Sequence, residues 1–422
     1  MFRASKPSSG KATATVVLKR PSLDFSRTGF IYVGMLMFMG LAAINSQANL
    51  LFGIFGLMIG VLLISGVISR QVLRHLSLRR ILPEHGCVGH PATITYEIAN
   101  RKRFWPSLSM VVAELDGIEG FTKQPQCYVL HVAAKMTASV PQVVVPKRRG
   151  LHELTRYQIV TSFPFGFVKR AVIGRHKDVL LVYPPVANVH PSLLAMCRAA
   201  DTTGDLVRPR PGGTDEFYGL KEFRPGDNPR WIYWRRSARS GTLVAKEMSQ
   251  VAPPRVLLLV DTFLASRSLQ DHAAVERCIA MAASLAAHAL DQGFAVGLCA
   301  WSCQWVTIHP GSGKRFQGEL LTVLSRLPLN TSHRLKELLN ECQTRLRTGT
   351  TPILFTPRDV EVGTIEGGRG GMIVIPAGSP RAQNWFHFGP EADFSNCMPA
   401  AARSSESSRT VESRQEMLNP EL

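Results

Sequence analysis

The sequence predicts a multi-domain protein with three parts: an N-terminal transmembrane helical hairpin, a small β-sandwich and a doubly wound α/β domain. Two long apolar stretches, then short segments of alternating polarity, then apolar strands that alternate with helical segments predict this order. The 422 residues suffice for two or three domains beyond a membrane segment. The predicted boundaries are 1–28 for a basic leader, 29–70 for two transmembrane helices, 76–183 for the β-sandwich, 184–255 for a charged segment, 256–390 for the α/β domain and 398–422 for a disordered tail.

Two apolar stretches near the N-terminus predict the transmembrane hairpin. Residues 29–44 carry no charge and residues 50–69 are again apolar, with a short uncharged polar patch between them. A helix needs about 20 residues to cross a hydrocarbon core of about 30 Å, and backbone groups in lipid must pair internally. Gly56 and Gly60 form a G-x-x-x-G pattern with Gly53 one turn earlier. This pattern predicts that the two helices pack closely along that face.

The charge distribution predicts the orientation of the hairpin. The chain has a formal net charge of +18, and both outer flanks of the hairpin are basic. Because positive residues accumulate on the cytoplasmic side, we expect both termini in the cytoplasm of a cell bounded by a plasma membrane. A secretory signal ending near Ala42 or Ala48 is the less favoured alternative, since a second apolar stretch follows at once. The basic residues after the second stretch are Arg70, Arg74, Arg79 and Arg80.

The middle region alternates in polarity as β-strands do. Residues 93–98 alternate with a period of two, between Pro91 and Asn100. Turn residues separate this segment from others of the same kind, which predicts a small β-sandwich. The aromatic turn at 162–167 is interpreted as a packed corner rather than a ligand site. The further predicted strands are 109–115, 140–145, 154–160 and 167–173.

Residues 211–250 are the most distinctive stretch of the chain. Pro225 and Gly226 fit a type II turn, and Asp227 or Asn228 can cap a helix that runs to about Ala238. A strand should follow over 243–247. Such a helix would place Trp231, Trp234 and Ala238 on one face.

Three interpretations of this stretch remain open. Its arginines can form a docking surface for an acidic or anionic partner. Alternatively, Trp231 and Trp234 are core residues and the arginines pair with Glu222, Asp227 and Glu247. Arginines interleaved with aromatic residues also suit base stacking in nucleic-acid binding, which is the least favoured of the three. The arginines concerned are Arg224, Arg230, Arg235, Arg236 and Arg239.

The last third alternates strands with helices, which predicts a mostly parallel sheet. An apolar strand over 256–260 ends at Asp261, and a helix over 269–292 follows it. Ligands of such sheets bind beyond the carboxyl ends of the strands, where Asp261 and Thr356 should lie. The other predicted elements are strands at 294–300, 305–309, 353–356 and 372–375 and helices at 314–327 and 332–347.

The run from Leu220 to Trp234, continued by Ala238-Arg239, resembles the signature of the domain of unknown function 58 family. That signature reads approximately R-x-Y-x-x-G-D-x-x-R-x-I-x-W, and here Phe223 replaces its tyrosine. The resemblance covers about 30–375. It implies a bacterial inner-membrane protein with a von Willebrand A-like C-terminal domain, associated with MoxR-type AAA+ ATPases. The partner-binding residues expected on this basis are Arg224, Gly226, Asp227, Arg230, Trp234, Arg235 and Arg239.

The predicted metal site of that domain is degenerate. Von Willebrand A domains bind a divalent ion through D-x-S-x-S after the first strand, since oxygen ligands suit a hard cation. Here Asp261 keeps the carboxylate, but Phe263 and Ala265 replace both serines. Asp261 is therefore a weak metal candidate and a better loop acceptor. We expect no cofactor, since the sequence also lacks a readable nucleophile–base pair.

These patterns favour a non-enzymatic scaffold or adaptor that the hairpin anchors in the bilayer. Its expected partner is a protein, with a MoxR-type AAA+ ATPase as the candidate that the resemblance implies. A metal-dependent enzyme at the sheet edge and a membrane-associated nucleic-acid binder remain alternatives. The sequence leaves the oligomeric state open.

Overall fold

The structure is a computed structural model of the chain. It describes residues 19–203, 210–225, 227–250, 253–264, 266, 268–329, 335–345, 350–358, 372–390, 392 and 394. The predicted disordered tail at 398–422 lies outside these residues. The described residues up to Tyr183 form one compact unit, and those from Pro184 form a second.

Among its described residues, the first unit contains two long helices and nine strands. Helix α1 is Arg27–Ser46 and helix α2 is Asn49–Leu73, so both predicted apolar helices are present. Between them Gln47 adopts a left-handed conformation and reverses the chain. The strands are β1 (Lys19–Phe25), β2 (Leu76–Ile81), β3 (Gly86–Cys87), β4 (Ala92–Asn100), β5 (Ser107–Glu114), β6 (Gln126–Val132), β7 (Thr137–Val144), β8 (Gly150–Thr161) and β9 (Val168–Tyr183).

The helices contact each other through a different face from the one that the G-x-x-x-G pattern predicts. A Cβ atom added at Gly53, Gly56 or Gly60 would have no atom within 4 Å. The contact is made instead where Gly40 faces the ring of Phe55 and where the Tyr32 hydroxyl donates to the Met58 carbonyl at 3.1 Å. The prediction was wrong because glycine spacing alone does not decide which side of a helix meets its neighbour.

The N-terminus of α1 is fixed against the aromatic turn at 162–167. Ser26 caps the helix, its backbone N–H donates to the Phe167 carbonyl at 3.0 Å, and its hydroxyl bonds the Gly166 carbonyl. The rings of Tyr32 and Phe167 stack with centroids 4.1 Å apart. The turn is therefore a packed corner, as the sequence predicts.

Two sheets form the β part of this unit, and their described strands pair antiparallel except β3, which pairs parallel with β9. One sheet has the order β2-β4-β7, and the other has the order β1-β9-β8-β5-β6 with β3 beside β9. Ile94 and Tyr96 from the first sheet and Val112 and Ile159 from the second belong to one buried apolar cluster. Val72 at the end of α2 joins the same cluster, so the helix continues directly into this core.

The sequence pattern does not predict two features of this unit, which are a strand inside the basic leader and a buried arginine. Strand β1 pairs with β9 at the edge of the larger sheet. Arg80, expected among the basic flank of the hairpin, has a side chain only 1% exposed. Its guanidinium forms a two-fold hydrogen bond with Glu114 at 2.8 and 2.9 Å and reaches Asp178 at 2.7 Å. Arg80 therefore joins the two sheets instead of facing lipid headgroups.

The second unit contains a five-stranded sheet with helices on both faces. Its order is β15-β14-β13-β16-β17, parallel except for the edge strand β15. The elements of this unit are β10 (Asn188–Val189), α3 (Pro191–Thr203), β11 (Arg210–Glu222), α4 (Trp234–Ser240), β12 (Val244–Gln250), β13 (Arg255–Val260), α5 (Leu269–Asp291), β14 (Ala295–Trp301), β15 (Trp305–Gly311), α6 (Lys314–Arg326), α7 (Leu335–Arg345), β16 (Thr351–Thr356), β17 (Ile373–Pro376), α8 (Pro380–Trp385) and β18 (Phe386–His387).

Burial explains the composition of this sheet. Every residue of β16, and every residue of β13 after Arg255, is buried, as expected for parallel strands covered on both faces. Leu257 and Leu259 pack with Leu338 of α7. Helix α5 packs against β13, β14 and β16. The predicted mixed arrangement of strands and helices is confirmed.

Three described helices are long and apolar enough to cross a membrane, and burial separates them. These helices are α1, α2 and α5. The apolar window of α5 is 72% buried within its own unit, whereas the windows of α1 and α2 are 17% and 6% buried. The apolar surface of α5 is therefore used by the sheet. The exposed apolar surfaces of α1 and α2 support membrane association.

Candidate functional site

A long β-hairpin carries the charged segment. Strands β11 and β12 pair antiparallel, with Glu222 opposite Val244 where the hairpin opens. Residues 223–243 connect the two strands, and we call them the tip segment. It contains five arginines and one acidic residue. Gly226 lies outside the described residues.

The tip segment contains two short helices rather than the single helix that the sequence predicts. Asn228 accepts a hydrogen bond from the Arg230 N–H at 3.1 Å and caps a 3-10 helix at Pro229–Trp231. The chain then extends, because Ile232 bridges Ala245 and the Tyr233 N–H donates to the Val244 carbonyl at 2.8 Å. Pairing with β12 thus interrupts the helix, and α4 begins only at Trp234. Trp231 and Trp234 consequently do not share a helical face.

Helix α4 is held to β12 by one buried serine. The Ser237 hydroxyl donates to the Tyr233 carbonyl at 3.1 Å and accepts from the Val244 N–H at 2.9 Å. Gly241, with a φ of 71°, ends the helix in the left-handed conformation that glycine adopts without strain. The other residues of α4 are exposed, so the helix presents its side chains to solvent.

The carboxylate of Asp227, the acidic residue of the tip segment, pairs with a lysine side chain and not with an arginine side chain. Asp227 accepts from Lys221 Nζ at 2.8 Å and from the Arg224 N–H at 3.0 Å. The hydrogen bond from Lys221 is the main reason that the pKa of Asp227 lies below its usual value. Within the described chain, neither Glu222 nor Glu247 forms an ion pair with an arginine of this segment. The described residues therefore do not support the alternative interpretation in which the arginines pair with these three acids.

The arginine side chains and one tryptophan of the tip segment face solvent. Trp234 is 67% exposed, although it is one of the largest apolar side chains in the chain. Trp231 is only half-buried, so the interpretation of both tryptophans as core residues does not hold. Tryptophan and arginine are the residue types that dominate binding energy at protein interfaces. The exposed arginines are Arg224, Arg230, Arg235, Arg236 and Arg239.

Asp261 lies at the carboxyl end of β13, where the order of the sheet reverses. It is 3% exposed. Its oxygens accept from the Phe263 N–H at 3.0 Å and from the Thr356 hydroxyl at 3.1 Å. Burial raises the pKa of this carboxyl group. Asp261 is thus a loop acceptor that joins the ends of β13 and β16.

The metal candidates around Asp261 do not gather into a ligand set. Among the residues that the structure describes, no three His, Cys, Asp or Glu side chains come together as a metal site would require. Phe263 offers its ring to Arg358, with 4.4 Å from the guanidinium carbon to the ring centroid. Ala265 lies outside the described residues.

A surface pocket of about 450 Å³ lies elsewhere in the second unit. Phe386, Phe388 and Phe394 line much of it, together with Arg277, whose guanidinium donates to the Ala377 carbonyl at 3.4 Å. None of the site residues predicted from the sequence lines this pocket. It therefore gives no support to the enzyme alternative.

Comparison with known proteins identifies the central region. A family model described as a protein of unknown function, DUF58, matches residues 219–348. The match starts in β11, includes the whole tip segment and ends beyond α7. Over these residues the chain is similar to the DUF58 family, which confirms the resemblance carried by residues 220–239. No curated protein matches the chain.

Proposed function

We propose that this chain is a membrane-anchored docking protein whose tip segment binds an acidic surface of a protein partner. Five exposed arginines around the exposed Trp234, with no carboxylate partner among the described residues, carry the proposal. Surface cations without internal partners are free to pair across an interface, and an exposed tryptophan supplies apolar area there. The single acid, Asp227, instead orders the chain around Arg224.

The hairpin α1–α2 would act as the anchor. Its basic flanks favour a plasma-membrane location with both termini in the cytoplasm and the tip segment on the same side. The first unit supports the placement of both hairpin ends on one side of the bilayer, since β1 before α1 and β2 after α2 belong to the same β part. A bilayer crossed twice returns the chain to the side from which it started.

The candidate partner is a MoxR-type AAA+ ATPase, and the candidate class of the second unit is von Willebrand A-like. Both follow from the family resemblance. The sheet order supports the class, because in chain order its strands lie 3-2-1-4-5 with an antiparallel edge strand. The bonds made by Asp261 are those of a loop acceptor, as expected if the metal site is degenerate.

Binding of the purified ATPase to the full-length protein in lipid nanodiscs tests the proposal. Arg224→Glu/Arg235→Glu should weaken binding by about 30-fold or more, since interface hot spots contribute ~2 kcal/mol or more. The matched control Arg315→Glu/Arg381→Glu makes the same charge change on exposed arginines of α6 and α8 and should bind normally. Absence of binding by the wild type, or equal binding by both variants, would contradict the proposal.

The nucleic-acid alternative makes a different prediction for the same surface. Binding to DNA would weaken steeply with salt, by about one logarithmic unit per neutralised phosphate for each tenfold rise in salt. A steep salt slope with DNA, reduced by Arg224→Glu/Arg235→Glu, together with no ATPase binding, would replace the docking proposal by nucleic-acid binding.

A further inference from the structure

The loop between β4 and β5 combines cations with exposed aromatic residues at the foot of the membrane helices. Residues 100–106 read Asn-Arg-Lys-Arg-Phe-Trp-Pro and contain no acid. Phe104 is 75% exposed and Trp105 is 54% exposed. We call residues 100–106 the aromatic loop. Such exposure is costly in water, so a partner that takes up both aromatic surface and positive charge is expected.

The aromatic loop is fixed to the end of α2 by a buried lysine. Lys102 Nζ donates to the carbonyls of Gln71 and Val72 at 3.0 and 2.7 Å and contacts the Ser107 hydroxyl at 2.6 Å. These carbonyls belong to the last turn of α2, where the helix dipole favours a cation. The Arg101 N–H also donates to the His75 carbonyl at 2.9 Å. The position of the loop along the helix axis is therefore set.

That position coincides with the headgroup layer of a bilayer crossed by α2. Val67, 69% exposed, is the last strongly exposed apolar residue of the helix, and Arg70 is exposed after it. Val72 lies five residues beyond Val67, or about 7.5 Å along the axis at 1.5 Å per residue. The interfacial layer on each side of the hydrocarbon core is about 5–7.5 Å thick. The loop is attached at this depth.

The turn at the start of α1 repeats this arrangement independently. Its Phe165 is 50% exposed and stacks on Phe167, whose carbonyl accepts from the Ser26 N–H before the helix. The start of α1 and the end of α2 thus each contact a loop of the β part that carries an exposed aromatic ring. Aromatic residues concentrate at membrane interfaces, and nearby arginines attract anionic headgroups.

We propose that the aromatic loop docks on the anionic headgroup layer of the membrane, with Phe104 and Trp105 inserted at the interface and Arg101 and Arg103 on lipid phosphates. The proposal rests on the membrane insertion of α1 and α2. This contact would hold the β part of the first unit against the bilayer and limit its rotation about the two helices. Besides the two helices, the aromatic loop would therefore be a second attachment of the protein to the membrane, and it does not involve the tip segment.

Fluorescence quenching by brominated lipids tests the contact in the full-length protein, reconstituted without any partner. The difference between wild type and Trp105→Phe isolates the emission of Trp105. We expect this emission to be quenched more strongly by bromine near the headgroup end of the acyl chains than by bromine near the chain ends. No quenching, or stronger quenching from the chain ends, would overturn the proposal.

The lipid charge is tested with vesicles of phosphatidylcholine with and without phosphatidylglycerol. The quenching of Trp105 should increase with phosphatidylglycerol, and Arg101→Gln/Arg103→Gln should abolish that increase. Lys123→Gln/Lys177→Gln, which removes two exposed cations elsewhere in the first unit, should retain it. Equal behaviour of the two double variants would contradict the role of the arginines. Because no partner protein is present, this outcome is independent of the docking proposal.

Discussion

Arg80 shows how one residue can be misassigned by a rule that is correct for its neighbours. Arg79 and Arg80 are adjacent in the basic flank, yet only Arg79 is exposed. A side chain on β2 alternates between faces, so the second of two consecutive arginines points into the core. There Glu114 and Asp178 are the partners that make its burial tolerable. Neither acid is near Arg80 in the sequence, so no local pattern predicts the cluster.

Replacing Arg80 by methionine should destabilise the protein by roughly 3–5 kcal/mol, because the carboxylate of Glu114 would stay buried without its partner. Arg79→Met is the control, since Arg79 lies 3.9 Å from Glu97 at a side-chain exposure of 56%. It should change the unfolding free energy by less than about 1 kcal/mol. Chemical unfolding of the detergent-solubilised protein measures both, and similar losses in the two variants would refute the role of the cluster.

The lowered pKa of Lys102 predicts how the stability changes with pH. Burial lowers the pKa of Lys102 to about 8 from an ordinary 10.5. Between these values the unfolded chain binds more protons than the folded one, so the unfolding free energy should rise with pH across this window. Lys102→Met should remove that rise. Unfolding curves at several pH values would show parallel behaviour of wild type and variant if Lys102 did not contribute.

Asp261 has a predicted response to metal. Its two oxygens are engaged by Phe263 and Thr356. We expect magnesium to leave the Tm of the wild-type protein unchanged. Thermal unfolding with magnesium or with a chelator measures this. A magnesium-dependent rise in Tm that disappears in Asp261→Ala would show that the site is functional after all.

At the scale of elements, helices with local signals were predictable and long-range pairings were not. The apolar stretches located α1 and α2, and the helix predicted over 269–292 corresponds to α5. Strand β1 was missed because its formation depends on β9, more than a hundred residues later. The tip segment was only half predicted for the same reason: helix signals are present at Asn228 and Pro229, but pairing of Ile232 with β12 overrides them.

The start of α1 offers a matched pair of substitutions. A Cβ atom at Gly29 would collide with the Phe167 carbonyl oxygen, whereas one at Gly34 would meet no atom within 4 Å. Gly29→Ala should therefore destabilise the first unit by about 1–3 kcal/mol. Gly34→Ala should be neutral or slightly stabilising, since alanine is the better helix former. Thermal unfolding in detergent distinguishes them, and equal Tm values would contradict the packing of α1 on the turn.

For the whole molecule, the sequence predicted the order of helices, strands and sheets better than it predicted which side chains are exposed or paired. Composition and periodicity are properties of the chain, and they predicted the order of helices, strands and mixed sheet. Whether a side chain remains available for binding depends on residues that are distant in the sequence. Only the folded structure shows that Asp227 pairs with Lys221 and that Trp234 is exposed. It also shows that Lys102 donates to a carbonyl in the last turn of α2. The candidate site was therefore predictable in position and composition, but not in its pairing.

The proposed function depends most on the membrane anchor and its orientation, and labelling of single cysteines tests both directly. A variant that retains only Cys303, which is exposed, reports on the α/β sheet, and Ser46→Cys reports on the tip of the membrane hairpin. In sealed spheroplasts, a membrane-impermeant maleimide should label position 46 at once and Cys303 only after permeabilisation. Labelling of Cys303 in intact spheroplasts, with position 46 protected, would contradict the proposed orientation.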